Sequence, residues 1–549
     1  MPSYTYTRHL YAKPPELDRP GPRRPVVIIG SGPVGLTCAI DLAVHGVPSI
    51  VLDDDDTVSL GSRAICWAKR TLEIWDRLGV GQRITEKGIT WNRGRVFHRD
   101  HELYRFDLLP ETGHHRPAFV NLQQYYVEDF LVDRAADFPA LIDLRWKNEV
   151  IDITQDADAV GLRIQTPDGV YALECDWVIA ADGARSPTRN RLGLPFNGQR
   201  FEERFLIADV RMQADFPAER LFWFEPSFHA GQSALLHRQP DNIYRIDFQL
   251  GPDADPELEK RAERVMPRIH AIVGEATQIE LEWCSVYSFR CARLDKFVHG
   301  RIIFAGDSAH VVSPFGARGG NGGIQDADNL CWKLALVIAR QATPALLDTY
   351  TEERGHGADE NIRHSSRTTS FMTPKTTAER LLRDSVLALA PHAPFARAML
   401  NAGRLSRPCS LAAHRLQTSD GGGLVGLPCP DAPVLDAAGN EGWLLDHLGT
   451  VFTLLTCADP PTPPILAALP LQLRIIVIDD RARYVPGATT LTDHTGLIRT
   501  RYGLRQDDAI LIRPDVHVAA RIAVADPAAL AAALDRVVGR ASATNRRAA

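Results

Sequence analysis

The sequence predicts an α/β protein whose first unit is assembled from separated stretches of chain, with a sheet-rich segment inserted between them. Three observations predict it. An apolar run, Val26–Ile29, enters a glycine-rich turn and then an apolar helical stretch. Two later apolar runs, Trp177–Ala181 and Arg301–Ala305, each end in a turn that carries an acid. Between those two, residues 201–295 alternate apolar and polar side chains, as in Tyr244–Leu250, which is the period of half-buried antiparallel strands.

At 549 residues the chain exceeds one compact core, and two or three domains are expected. Residues 1–24 form a polar, proline-rich lead-in. Residues 25–200 and 296–368 make the two parts of a nucleotide-binding domain around the sheet segment 201–295. Helices are expected at Lys69–Leu78, Gln124–Ala136 and Gly323–Arg340. Residues 369–408 read as a helical connection. Residues 409–549 read as a separate α/β domain, with strands at Arg474–Asp479, Ala509–Ile512 and His517–Arg521 and a closing helix at Pro527–Val538.

Composition excludes several classes of function. The net charge is -6, and no lysine or arginine stripe marks a nucleic-acid surface. The apolar runs are strand-sized, so no membrane span is expected. The N-terminus shows no secretory apolar core. The nine cysteines lack a C-x-x-C pair. They read as reduced thiols of a cytoplasmic protein, with no metal site of the usual spacing.

The stretch Val26-Val-Ile-Ile-Gly30-Ser-Gly32-Pro-Val-Gly35 is a strand running into G-x-G-x-x-G. Gly30 allows the tight turn, Gly32 lets backbone approach a diphosphate, and Gly35 lets the helix pack on the strand. The next strand, Ser49–Leu52, ends in Asp53, 18 residues after Gly35. An acid there accepts the ribose hydroxyls of an adenosine. Asp54–Asp56 would repel a 2′-phosphate, which favours FAD or NAD over NADP at this site.

Two further junctions follow in order. Asp176–Ala181 leads into Asp182-Gly183-Ala-Arg185-Ser186-Pro187, and Arg301–Ala305 leads into Gly306-Asp307-Ser308-Ala309-His310. After these comes Ser313-Pro314-Phe315-Gly316-Ala-Arg318-Gly319-Gly320-Asn321-Gly322-Gly323. Together they resemble the para-hydroxybenzoate hydroxylase-like flavin monooxygenases, closest to the branch of phenol hydroxylase and hydroxyphenylpropionate hydroxylase. The resemblance implies bound FAD, with NADH or NADPH as transient electron donor. It implies hydroxylation of a small phenolic substrate with O2 through a flavin C4a-hydroperoxide. It places Gly30, Gly32 and Gly35 on the diphosphate, Asp53 on the ribose, and Arg63 and Gln124 along the cofactor chain. Asp182 and Gly183 match the dual FAD/NAD(P)H fingerprint. Gly306 and Asp307 match the ribityl-binding turn. Gly319, Gly320 and Asn321 are expected to offer backbone N–H groups to the flavin's pyrimidine edge. The family often has glutamate where this chain has Asp53.

The resemblance also places Pro314 beside flavin and substrate. The stretch Ser233–Gln249 is similar to the family's substrate-contacting hairpin. On a strand, Arg245, Asp247 and Gln249 share one face. Arg245, Asp247, His237 and Tyr287 are therefore the candidate substrate-side residues; the alternatives are a solvated strand face and a half-buried strand aromatic. His310 reads as structural or flavin-adjacent rather than as a base. Residues 409–549 resemble the branch's thioredoxin-like tail without its C-x-x-C, and that tail is expected to be redox-inert and to pack on the catalytic unit or in a homodimer. Epoxidation, halogenation or a non-catalytic flavin sensor remain alternatives on the same fold, although no W-x-W-x-I-P stretch of the halogenases is present.

Overall fold

The computed structural model describes residues 4–540, apart from 252, 402–405, 419–422, 462–465, 467–468, 470 and 481–483. Its first sheet is built around the strand Arg24–Ile29, whose last four residues are buried. A strand buried on both faces belongs at the centre of a parallel sheet. Ser49–Leu52 and Gly169–Ala180 flank it in parallel, and Ile142–Arg145 and Ile302–Phe304 extend the sheet on either side. The register aligns Ile29 with Ala180 and Leu52, and Ala180 with Phe304. Gly30, Asp53, Asp182 and Gly306 therefore leave the sheet along one edge, outside the carboxyl ends of its strands. That edge is where open α/β sheets bind ligands.

The expected helix Gly323–Arg340 begins earlier, and spans Gly319–Ile338. Its glycine-rich first turn has poor helix propensity, so packing sets the start. A Cβ on Gly323 would lie 2.6 Å from Val34 Cγ2 and 3.1 Å from Gly306 Cα. Glycine is what brings the helix onto the neighbouring loop and helix.

The second sheet has eight strands. Six come from residues 197–311, and two, Arg93–His98 and His101–Asp107, come from inside the stretch that the sequence assigned wholly to the first unit. Its two faces differ. Leu221, Trp223, Leu236, Ile246 and Phe248 pack in a core with Val265 and Ile269 of the Ala262–Val273 helix. On the opposite face, Phe205, Phe222, Phe224 and Leu235 meet Phe315, Met372, Val386, Leu387 and Leu400. The stretch expected to be a connection, 369–408, thus supplies the helices Thr377–Leu389 and Pro394–Asn401 as a wall over that face, with 402–405 outside the described residues.

The tail contains a five-stranded sheet in the order Thr489–Leu491, Leu473–Ile478, Phe452–Thr456, Asp508–Ile512, Val518–Ala523. The first three are mutually parallel and the last two antiparallel. Its residues alternate between two cores. Leu455, Ile510 and Ile512 lie in the tail's own core. Phe452, Leu454 and Leu511 join the core of the first sheet, where Phe452 meets Trp332 edge-on at 5.7 Å.

Polar groups at this junction are closely paired. Arg513 donates to both Glu353 oxygens at 2.7 and 2.9 Å and to Asp515 Oδ1 at 2.9 Å. Lys333 Nζ and Asn329 Nδ2 each reach Glu353 Oε2 at 2.8 Å. Arg70 donates to the Asp515 carbonyl at 2.7 Å.

Candidate active site

Gly30 has φ +101°, and a Cβ there would lie 2.6 Å from the Ala181 carbonyl oxygen, so only glycine makes this turn. A Cβ on Gly35 would lie 1.9 Å from the Gly30 carbonyl oxygen. That contact seats the Pro33–Val44 helix directly on the turn. Around the Cβ position of Gly32 there is nothing within 4 Å, so backbone faces open space at the helix N-terminus. A diphosphate needs this cradle. Asp53 borders it, with Oδ2 accepting from Ser31 N at 2.6 Å and Ser31 Oγ at 2.7 Å. Burial raises its pKa.

Asp307 opens onto the same cleft from the turn after Ile302–Phe304. Exposed to the cleft but ringed by protein, it has its pKa raised by desolvation against the pull of His310, Arg63 and Arg189. A carboxylate so placed gains by accepting hydroxyl hydrogen bonds. Below it, His310 Nε2 meets Asp326 Oδ2 at 2.6 Å, and Asp326 also accepts from Gly306 N at 3.0 Å and Arg354 Nε at 2.7 Å. His310 is a strut of the turn. In the Gly319–Ile338 helix the first amide bonded back is Gly322 N, to Arg318 O at 2.8 Å. The N–H groups of Gly319, Gly320 and Asn321 precede that ladder, at the positive end of the helix dipole. The Asn321 side chain itself is committed: Oδ1 accepts from Ala68 N and Thr71 Oγ1, and Nδ2 donates to Cys66 O and Ala317 O.

Other expected cofactor residues shape the cleft indirectly. Gln124 donates to Ser59 Oγ and Glu128 Oε1 and accepts from Ala64 N, which fixes the 59–64 loop. Arg63, at the end of that loop, is exposed and close to Asp307 and Tyr287. Asp182 Oδ2 accepts from Thr188 N at 3.0 Å, while its Oδ1 is buried without a partner. Gly183 takes φ +77° with open space around it.

Above the cleft stands the inner face of the second sheet. Register places His237, Arg245, Asp209 and Trp283 in one cross-strand row, with Arg220 next beyond His237. A second row holds Phe222, Leu235, Asp247, Ile207 and Ser285. Phe205 and Tyr287 pair in a third. Arg245 is a closed ion pair: Nε and Nη2 meet the two Asp209 oxygens at 2.8 Å each. It also donates to the carbonyls of Ser62 and Arg63. His237 is buried, with Nδ1 3.9 Å from Cys66 Sγ, and burial together with Arg220 and Arg245 holds its pKa well below the usual histidine value. Asp247 differs from both. Its Oδ1 is buried without a hydrogen-bond partner, and burial raises its pKa to about 6 although Arg245 pulls it down.

Two family profiles match the chain. One, described as FAD binding domain, covers residues 23–365, and one, described as aromatic-ring hydroxylase C-terminal, covers residues 422–541. The chain belongs to the FAD-dependent aromatic-ring hydroxylases. It is 29% identical over 440 residues, 79% of each chain, to a 3-(3-hydroxy-phenyl)propionate/3-hydroxycinnamic acid hydroxylase of Burkholderia vietnamiensis. It is 33% identical to a flavin-dependent monooxygenase of Mycobacteroides abscessus, over 60% of this chain and 70% of that one. Among solved structures, the flavin-dependent monooxygenase PieE in complex with FAD and substrate superposes with a TM-score of 0.80 over 95% of this chain and all of that one, at 22% identity, a likeness of fold. The anhydrotetracycline hydroxylase OxyS of Streptomyces rimosus does so at 0.73, with 26% identity over the same shares.

In this hydroxylase the open glycine cradle, Asp53, Asp307 and the Gly319–Asn321 amides have the donor and acceptor chemistry that an FAD site requires. The substrate-side expectations separate. Each donor nitrogen of Arg245 is taken up, by Asp209 and by the carbonyls of Ser62 and Arg63. It positions the loop that carries Arg63. The carbonyl of Pro314, the residue expected beside flavin and substrate, accepts from Ala317 N at 3.1 Å in a tight turn. Tyr287 lies beside Arg63 and Asp307, at the cofactor end of the face.

Three residues escaped sequence reasoning. Glu128, whose pKa burial raises to about 7, holds Ser59 and Gln124. Its i,i+4 spacing from Gln124 was the available signal. Arg220 and Asp209 gave none, since each sits in an ordinary alternating strand.

Proposed function

We propose that Asp247 receives the phenolic proton of the substrate in this FAD-dependent aromatic-ring hydroxylase, and that NAD(P)H is its electron donor. One oxygen atom of O2 enters the ring and the other leaves as water, with two electrons from NAD(P)H. FAD, when bound, supplies the oxygen activation. This chain's residues supply the rest. The Gly319–Asn321 amides favour negative charge at the facing edge of the cofactor. The wall of Phe205, Phe222, Phe224, Leu235 and Phe315 excludes water and presses the ring flat.

One observation carries the assignment of Asp247. It is an acid flanked by Leu235 and Ile207 in its cross-strand row, with a buried, unpartnered oxygen and a pKa raised to about 6. A phenol donating to Oδ1 satisfies that oxygen and becomes a better nucleophile as the proton moves toward it. His237 is a poor rival, because two arginines oppose its protonation. The tail is read as thioredoxin-like. Its supporting order is strands Leu473–Ile478, Phe452–Thr456, Asp508–Ile512 and Val518–Ala523, parallel then antiparallel, closed by the Pro527–Val537 helix. Free thiols at all nine cysteines fit a cytoplasmic protein, and those of Cys409, Cys429 and Cys457 fit a redox-inert tail, with pairing to a second copy as the accompanying proposal.

The test is oxygen uptake and NAD(P)H oxidation with a panel of phenols under 18O2. The reading expects substrate-stimulated consumption and a product bearing one labelled oxygen. Oxidation that yields hydrogen peroxide alone with every phenol contradicts it.

A further inference from the structure

The geometry points to a structural metal site between the catalytic unit and the tail, in which His356, Glu360 and Cys409 hold a divalent ion of the zinc class, with His414 beside them for the fourth position. The helix Asp348–Met372 presents Glu352, His356 and Glu360 on one face, each about one turn from the next. The chain entering the tail crosses that face in the opposite direction. Cys409 lies against Gly357, where a Cβ would stand 3.2 Å from its Sγ. The His414 ring packs 5.1 Å from the His356 ring, and Arg415 Nε meets Glu352 Oε2 at 3.1 Å. Donor atoms of His356, Glu360 and Cys409 thereby converge to within 4.8 Å of one another. The spacing, H-x-x-x-E on one segment and C-x-x-x-x-H on the other, is not that of a zinc finger, so cysteine spacing alone does not reveal it.

These donors are uncommitted where their neighbours are not. Glu352 is paired with Arg415, Glu353 with Arg513, Arg354 with Asp326 and Asp359 with Arg293. Among the described residues no hydrogen bond takes up the side chain of His356, Glu360 or His414, and His356 Nε2 approaches Glu360 Oε1 only to 3.8 Å. Cys409 is a buried free thiol. Thiolate, imidazole and carboxylate together suit zinc and its near neighbours, whereas calcium and magnesium take oxygen. Four donors around zinc stand about 3.5 Å apart, so binding asks these side chains to close by roughly 1 Å. Burial raises the thiol pKa, and a coordinating ion displaces that proton to solvent. Arg354, whose charge acts on the thiol, already has Asp326 as counterion at 2.7 Å, so it does not stand unopposed against a cation. His356 and Glu360 keep 38% and 33% of their side chains exposed, which leaves a path in from water. The ion ties the first residues of the tail to a helix of the catalytic unit. Its role is stability, and it takes no part in hydroxylation.

The full-length, FAD-loaded enzyme is treated with a chelator and titrated with Co2+ as a spectroscopic probe, then with Zn2+ in competition. Wild type is compared with Cys409→Ser, His356→Gln and Cys457→Ser, each checked for FAD content. Wild type should bind one Co2+ per chain, with tetrahedral d–d bands to the red of the flavin absorption, and Zn2+ should displace it. Cys409→Ser should abolish those bands and weaken Zn2+ binding by at least about 100-fold, more than an outer-shell change does. His356→Gln should weaken it by roughly 10- to 100-fold, and Cys457→Ser should bind as wild type. Zn2+ should raise the melting midpoint of wild type and leave that of Cys409→Ser unmoved, because the site exists only in the folded chain. Wild type without the tetrahedral bands, or equal Zn2+ affinity in wild type and Cys409→Ser, overturns the site. Should Cys409→Ser fail to fold, unchanged affinity in His356→Gln overturns it on a half-exposed position that the fold tolerates losing.

Discussion

Two buried polar regions of this molecule look alike in composition and behave as opposites. At the tail junction, Arg513, Lys333, Glu353 and Asp515 are fully buried and bonded to one another. On the inner sheet face, Arg220 and Asp247 carry charges of the same kinds, yet Arg220 Nε and Asp247 Oδ1 lack partners. The first region is complete in the protein alone, and its chemistry is structural. The second keeps polar atoms that no described residue satisfies. Buried charge by itself marks neither stability nor function. What separates the two is whether each donor and acceptor is satisfied.

The largest expected effect breaks the completed side. Arg513→Met leaves Glu353 and Asp515 buried without their main counterion, which costs about 3–5 kcal/mol. Urea unfolding of the FAD-loaded protein should show that loss, and a variant as stable as wild type would contradict a structural role for the junction. The same network predicts a pH dependence. Arg513 and its neighbours hold the Glu353 and Asp515 pKa values well below the usual range, against burial. Their folded values are depressed, so their stabilisation is complete above about pH 4.5, the unfolded range, and is lost only as pH falls through the depressed values. Thermal melts should therefore show this contribution failing in acid rather than near neutrality.

A smaller effect is expected at the cofactor cleft. Asp307→Ala should weaken FAD binding by about 1.5–3 kcal/mol, measured as the dissociation constant of the released flavin. Unchanged FAD content would remove that turn from the cofactor site. The smallest effect sharpens the contrast from the tail. Cys409, Cys429 and Cys457 are free and 20 and 28 residues apart in sequence. Replacing all three by serine should leave product formation per FAD within about twofold, since no redox step uses them. Loss of turnover in a folded, FAD-loaded triple variant would assign the tail chemistry that its paired junction argues against.

The cofactor half of this site was legible in the sequence because its determinants are local. Gly30, Gly35, Asp53 and Asp307 each sit at a strand end, where spacing and turn chemistry speak directly. The substrate half is set by register between strands distant in sequence. Nothing in Arg220 or Asp209 announces that one is free and the other is closed on Arg245. Nor did residues 93–107 signal that they join a sheet whose other strands begin a hundred residues later, or residues 377–401 that their helices roof it. Each of those facts depends on tertiary contact rather than pattern.

The central claim is that the unsatisfied sheet face is where substrate chemistry occurs, and Asp247 tests it most directly. Burial raises its pKa to about 6, so the ionised acceptor is present above that value and lost below it. The decisive measurement is the pH profile of kcat/KM for a hydroxylated phenol, in wild type and in Asp247→Asn. Wild type should rise with pH, half-maximal near pH 6, to a plateau about one to two pH units higher. The FAD-loaded Asp247→Asn variant should fall by roughly 100-fold and lose that acidic limb. An Asp247→Asn enzyme that keeps both the wild-type rate and the limb would contradict the account and return the face to ordinary packing.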